Sequence, residues 1–218
     1  MSKINWQEKW KQGQIGFHQE EVNSDLIKYM STYLDNGDNH HIFVPLCGKT
    51  RDMLWLSEKS QHVYGVELSA LALQQFDEEN DLKLVRESEA NFSIYINDDY
   101  TLYQGDFFKL TKAHIPQVTH IYDRASIIAL PKEIRKKYAE HLTQVISAPH
   151  IFLITIEYDQ EKVQGPPYSV PQDEIYSYYS HHYNIKIEAE VIINEGLPPR
   201  FSEQNLEIKK TVYSMTRK

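Results

Sequence analysis

His41-Ile-Phe-Val-Pro-Leu46, running on into Cys47-Gly-Lys-Thr50, is the stretch on which the fold turns. The run behind the histidine is short, continuous and apolar, as in a strand buried on both faces of a parallel sheet. Gly48 lets the backbone bend and come close to a neighbour, and Asp52 to about Lys59 follows as a helix. The same βα unit repeats outward from here. Val63 to Leu68 is a second strand, and Ser69 is placed to cap a helix over Ala70 to Glu79. Thr119 to Tyr122 and His150 to Glu157 are further buried strands. Between them Pro131 opens a helix that reaches about Ile146, proline suiting a first turn. Such alternation specifies an α/β fold with a mostly parallel sheet and helices on both faces.

Two stretches break the alternation. Phe92 to Ile96 and Thr101 to Tyr103 are β-prone and flank the turn-forming Asn97-Asp98-Asp99, so a hairpin is expected inside the α/β pattern. Near the end, Asn184 to Ile193 and Leu206 to Thr216 alternate in polarity and are joined by a loop holding Gly196 and Pro198-Pro199. Two strands joined in that way lie antiparallel. Gln172 to Tyr179 reads as a short helix before them.

Bulk properties narrow the function classes. A chain of 218 residues with 41% hydrophobic and 25% charged residues has an ordinary globular composition. One domain over 1–218 is expected, able to bury roughly 70% of its unfolded surface without staples. The net charge of −8 argues against nucleic acid or an anionic membrane as the main partner. Cys47 is the sole cysteine, which excludes an intramolecular disulfide and a cysteine-rich metal site, and no metal is expected. No apolar segment follows the first residues and no run is long enough to span a bilayer, so the expected location is the cytoplasm.

In open α/β sheets, ligands bind at the carboxyl ends of the strands. The turn Pro45 to Thr50 is neither a dinucleotide fingerprint nor a phosphate-cradling loop, because it holds a single glycine. Taken alone it is equally an ordinary tight turn. Glu67, about 20 residues further on at the end of the second strand, is suited to accept from both hydroxyls of a ribose. A ribose without a diphosphate turn points to an adenosine-bearing cofactor such as S-adenosylmethionine rather than NAD. Asp106-Phe107, behind Gly105, could take an adenine amino group and its ring face; a turn aspartate and a core phenylalanine explain the pair as well. Asp123-Arg124 ends the Thr119 strand, where a surface ion pair is the competing explanation.

Six segments, in this order and spacing, carry a family resemblance. They are Trp6-Gln-Glu-Lys-Trp10 with Gly16-Phe-His18, Val44 to Lys49, Gly65-Val-Glu-Leu-Ser69, Gly105-Asp-Phe-Phe108, Tyr122-Asp-Arg-Ala125 and Gly165-Pro-Pro-Tyr-Ser-Val170. Together they resemble thiopurine S-methyltransferases of bacterial type along nearly the whole chain. The resemblance implies a Rossmann-like class I methyltransferase, with a seven-stranded sheet whose last strand is antiparallel, acting as a monomer. It implies S-adenosyl-L-methionine as cofactor and S-adenosyl-L-homocysteine as product. Leu46, Gly48 and Glu67 would then hold the cofactor, with Glu67 on the ribose. Asp106 and Phe107 would frame the adenine. Arg124 would serve its methionine end and the acceptor, as the one catalytic side chain. Trp10 would close a lid made of residues 1–25, while Phe17 and, from the loop before Phe201, Arg200 would face a small-molecule thiol. Selenium, tellurium or halide acceptors, and a non-catalytic nucleotide-binding module, are the alternatives.

The remaining candidates have plainer explanations. Trp6 and Trp10 are four apart, so on a helix they share a face, as core residues commonly do. Cys47 has no partner base in sequence and reads as a small buried residue. His18 is read as structural or acceptor-lining rather than as a general base.

Overall fold

A computed structural model describes residues 5–16, 18–34, 39–194, 197–204 and 206–218. The chain forms two compact units, Met1–Thr119 and His120–Lys218.

The first unit holds α1 (Trp6–Lys11), α2 (Ser24–Tyr29), β1 (His41–Pro45), α3 (Asp52–Glu58), β2 (His62–Glu67), α4 (Ala70–Asn80), β3 (Val85–Glu89), β4 (Phe92–Ile96) and β5 (Tyr100–Gln104). Its strands lie in the order β3-β4-β5-β2-β1, with β1, β2 and β5 mutually parallel. Every residue of β1 is buried, as its unbroken apolar run requires. Val44 pairs with Gly65. A Cβ on Gly65 would lie 2.8 Å from Leu102 Cδ2 and 2.9 Å from Cys47 Sγ, so only glycine admits this packing. Ser69 caps α4 as expected, its hydroxyl accepting from Ala72 N at 3.4 Å.

The expected hairpin is β4 and β5, antiparallel from Ser93 to Gln104. Asn97 closes its turn, Oδ1 accepting from Asp99 N at 3.0 Å and Tyr100 N at 2.9 Å. The outer strand β3, Val-Arg-Glu-Ser-Glu, was not expected from sequence. All five of its residues are exposed, so no apolar face marks it as a strand. Its charges suit an edge that must resist further pairing.

The second unit holds β6 (His120–Arg124), α5 (Lys132–Glu140), β7 (His150–Glu157), α6 (Gln172–Tyr179), β8 (Tyr183–Ile193), α7 (Pro199–Ser202) and β9 (Ile208–Arg217). The strand order is β6-β7-β9-β8. β6 and β7 are parallel, and β9 runs antiparallel to both β7 and β8. Pro131 stands at the N-cap of α5, one place before the helix. The helix continues past Glu140 as a π-helical turn, His141–Ile146, and stops at Ser147 in the left-handed conformation. The four-residue α7 occupies the connection expected to be loop alone; one turn is too short to show a helical period.

Nine strands are therefore present among the described residues, against the seven expected. Outside β5 lie β4, expected as half of the hairpin, and then β3, which was not expected. No helix among the described residues is long and apolar enough to cross a membrane.

A buried ion pair ties α5 to α6. Arg135 Nη1 donates to both Glu174 oxygens at 3.1 Å, while Arg135 Nε donates to Leu130 O at 2.9 Å. Tyr178 adds its hydroxyl to Glu174 Oε1 at 2.9 Å. Removing one partner of such a pair strands the other charge and costs about 3–5 kcal/mol. Glu174→Ala should therefore lower the melting temperature by roughly 10 °C in a chain of this size, whereas Arg135→Met/Glu174→Leu, which removes both charges, should lose much less; thermal denaturation of the two variants checks the ordering.

Candidate active site

The first unit gathers its candidate residues at the carboxyl ends of β1, β2 and β5, and Glu67 is the point where they meet. Glu67 is the last residue of β2 and is buried. Its Oε2 accepts from Gly48 N at 3.0 Å and its Oε1 from Ser69 N at 2.8 Å. Its backbone carbonyl accepts from Gly105 N at 2.9 Å. One residue thus ties the turn after β1, the turn after β2 and the turn after β5. Burial pushes the Glu67 carboxyl above its ordinary range, against the backbone N–H groups of Ser69, Gly48 and Leu68, which lower it. The unfolded chain sheds this proton first, so stability declines as pH rises from about the ordinary glutamate value through the folded one. A buried, desolvated acid at the carboxyl end of a strand is a candidate functional group.

The β1 turn is shaped for close approach. Leu46 has φ 46° and Gly48 φ 54°, both left-handed. A leucine in that region is strained by roughly 1–3 kcal/mol and persists where its surroundings over-determine it. Here Cys47 N is fixed to Val66 O at 3.0 Å and Gly48 N to Glu67. A Cβ on Gly48 would lie 3.1 Å from Trp10 Cζ2, so the indole rests on the bare backbone of the turn. Trp10 is 4% exposed, and its helix is capped by Asn5, whose side chain accepts from Glu8 N. Trp10 is thus the tryptophan seated on Gly48.

The segment after α1 is pinned to the start of α3. Asp52 Oδ1 accepts from Asn23 N at 2.8 Å, and Arg51 Nη1 donates to Glu20 O at 2.8 Å. Neither tie was expected from sequence; Asn23 as the cap of α2 was the available signal. Phe17 lies outside the described residues.

Asp106 and Phe107 follow Gly105, and so follow the Glu67 carbonyl. Asp106 is exposed and caps a single 3-10 turn, Oδ1 accepting from Phe108 N at 2.9 Å. Phe107 is buried and meets Phe108 edge to face, 5.2 Å between centroids. Cys47 is buried and reduced, and burial together with the Glu67 charge pushes its thiol well up, away from the nucleophilic thiolate.

In the second unit, Arg124 ends β6 and is half-buried. Its neighbour Asp123 is not the surface partner that the sequence allowed. It is fully buried, accepting from Tyr138 Oη at 2.7 Å and Ile127 N at 3.3 Å. An unpaired aspartate is seldom so deep, and only the fold brings the tyrosine of α5 to it. Arg200 is exposed on α7, donates to Pro166 O at 2.7 Å and lies over the Phe201 ring at 4.8 Å.

Comparison with known proteins shows the family. The chain matches the thiopurine S-methyltransferase (TPMT) family over residues 1–218. It belongs to that family. The thiopurine S-methyltransferase of Nitrosospira multiformis is 40% identical over 208 residues, 94% of this chain and 93% of that one. That of Pseudomonas aeruginosa strain UCBPP-PA14 is 42% identical over 183 residues, 83% of each chain. Among solved structures, an S-adenosylmethionine-dependent methyltransferase from Anabaena variabilis superposes with a TM-score of 0.63 at 16% identity, covering 99% of this chain and 96% of that one. The fold is therefore that of the class I methyltransferases, and the chain is a methyltransferase that uses S-adenosylmethionine.

The residues present fit that cofactor. A carboxylate offers about four acceptor positions, more than the backbone N–H groups on Glu67 occupy. The left-handed turn brings the bare backbone of Gly48 against the Glu67 carboxylate, under Trp10. Glu67→Ala removes both the expected ribose acceptor and the anchor of the Gly48 turn. Losing a buried charged acceptor costs about 2–3 kcal/mol, so calorimetric affinity for S-adenosylhomocysteine should fall roughly 30-fold or more; unchanged affinity refutes the ribose assignment.

Proposed function

We propose that this enzyme methylates the sulfur of aromatic or heterocyclic thiols, thiopurines among them. The observation that carries the reading is the Glu67 junction, in a chain that matches the thiopurine S-methyltransferase family from end to end. When bound, S-adenosylmethionine supplies an electrophilic methyl on a sulfonium sulfur. The work left to the protein is alignment and exclusion of water.

Each candidate residue has a part in that work. Glu67 takes the ribose hydroxyls, with Leu46 and Gly48 presenting main chain beside it. Asp106 and Phe107 bound the adenine. Trp10, seated on Gly48, covers the cofactor from the amino-terminal segment 1–25, and an aromatic face there also favours a cation. Arg124, at the carboxyl end of a parallel strand, serves the methionine end and steadies the acceptor thiolate as a fixed positive charge. Phe17 and Arg200 line the acceptor. Heterocyclic thiols ionise near neutral pH, and a thiolate is the competent nucleophile. A dedicated base is then unnecessary, and His18, whose Nε2 lies 3.8 Å from Glu20 Oε1, is not assigned that part.

The acidic charge of −8 supports a small molecule as acceptor rather than nucleic acid. The enzyme is proposed to act as a monomer in the cytoplasm. A methyl-transfer screen with radiolabelled cofactor over aryl thiols, thiopurines, halide, selenite and tellurite tests the acceptor. Thiols should be turned over fastest, with the rate rising as pH passes the acceptor's own thiol pKa. Preference for selenium, tellurium or halide species would replace the proposed acceptor. Inactivity on all of them, with S-adenosylhomocysteine still bound, would favour a non-catalytic module.

A further inference from the structure

Asp123 is a buried acid that methyl transfer itself leaves unused. It is 0% exposed in the penultimate position of β6. Donors converge on it from two elements. Tyr138 of α5 gives its hydroxyl to Oδ2 at 2.7 Å, and from its own turn come Ile127 N, on Oδ1 at 3.3 Å, and the hydroxyl and backbone N–H of Ser126. Tyr179 of α6, fully buried, faces the same carboxylate. Even with these donors, burial lifts the carboxyl to about 6. The unfolded chain releases this proton near the ordinary aspartate value, so the group's contribution to stability is lost as pH rises from there through about 6. Ionisation of Asp123 thus works against the fold at neutral pH.

What the carboxylate does fix is a short piece of main chain. Successive strand residues face opposite ways, so Asp123 and Arg124 project from opposite faces of β6, and the carboxylate cannot hold the guanidinium directly. Its Oδ1 instead spans Arg124, Ala125 and Ser126 to reach Ile127 N. Inside that span Ala125 has φ 68°, a conformation that a residue with a Cβ adopts only at some cost. Immediately after it Ser126 O accepts from Ala129 N at 3.0 Å and opens the 3-10 turn Ile127–Ala129. The backbone that carries Arg124 is thus clamped from beneath by one carboxylate, itself clamped by one tyrosine hydroxyl.

We infer that Asp123, held by Tyr138, is a positioning residue for Arg124, setting the backbone from which the guanidinium meets its ligand. The inference rests on Arg124 being the cofactor contact proposed above, and the test separates the two. Full-length wild type, Arg124→Ala, Asp123→Asn, Tyr138→Phe and Asp123→Asn/Arg124→Ala are titrated with S-adenosylhomocysteine by calorimetry, and their melting temperatures are measured. Arg124→Ala should weaken binding about tenfold or more, as loss of a charge-assisted contact does. Asp123→Asn should weaken it about fivefold in the wild-type background but less than about twofold once Arg124 is gone, the non-additivity expected of coupled neighbours. Tyr138→Phe should act in the same direction, more weakly, and it carries the test if Asp123→Asn does not fold. In steady state the same variants should lower kcat with little change in KM for the thiol.

If Arg124→Ala weakens binding while Asp123→Asn and Tyr138→Phe leave it unchanged, the positioning role is wrong and the Arg124 assignment stands. Effects that simply multiply in the double variant make Asp123 a structural residue only. If Arg124→Ala binds as wild type does, the Arg124 assignment falls and the inference falls with it.

Discussion

A carboxylate with its hydrogen bonds made inside the protein governs the first unit. Glu67 receives Gly48 N and Ser69 N on its two oxygens and Gly105 N on its carbonyl. These are backbone donors of the turns that follow three parallel strands. By taking two on its carboxylate and one on its carbonyl, a single residue sets the relative height of three turns. The strain at Leu46, the contact of Trp10 with the bare backbone of Gly48 and the placement of Asp106 one residue past Gly105 all depend on those heights. The adverse desolvation of Glu67 is the cost of this arrangement, and lone pairs on an ionised carboxylate are what a ribose needs.

The second unit repeats the logic with different chemistry. Arg135 and Glu174 form a closed ion pair that joins α5 to α6, and Tyr178 completes it. Asp123 carries no such pair in its hydrogen bonds; it is met by a tyrosine, a serine and main-chain amides. The first arrangement holds helices together. The second holds the bend after β6 from which Arg124 departs. Two buried acids in one unit, one ion-paired and one not, serve packing and positioning respectively.

Much of this was legible in the sequence because it was written in long, periodic or capped segments. β1, β7, α4 with its Ser69 cap and the β4-β5 turn closed by Asn97 declare themselves by apolar continuity or by side chains that bond their own backbone. β3 could not be read because it buries nothing, and α7 because a single turn has no period. At the site, Glu67 and Gly48 were visible as a spacing, but their hydrogen bond was not, nor the left-handed Leu46 or the seat of Trp10 on Gly48. The burial of Asp123 does not show in the sequence, since the tyrosine that meets it lies on another element. Local patterns fix elements; contacts between elements distant in the chain do not show in them.

Glu67 is proposed to hold the Gly48 turn and the cofactor ribose at once. A crystal structure of the full chain with S-adenosylhomocysteine tests it most directly. The account predicts both ribose hydroxyls within hydrogen-bonding distance of the Glu67 carboxylate, with Gly48 N still donating to it and Trp10 still seated on the turn. A ribose placed elsewhere, or a Glu67 side chain swung away from Gly48 to reach it, would contradict the account.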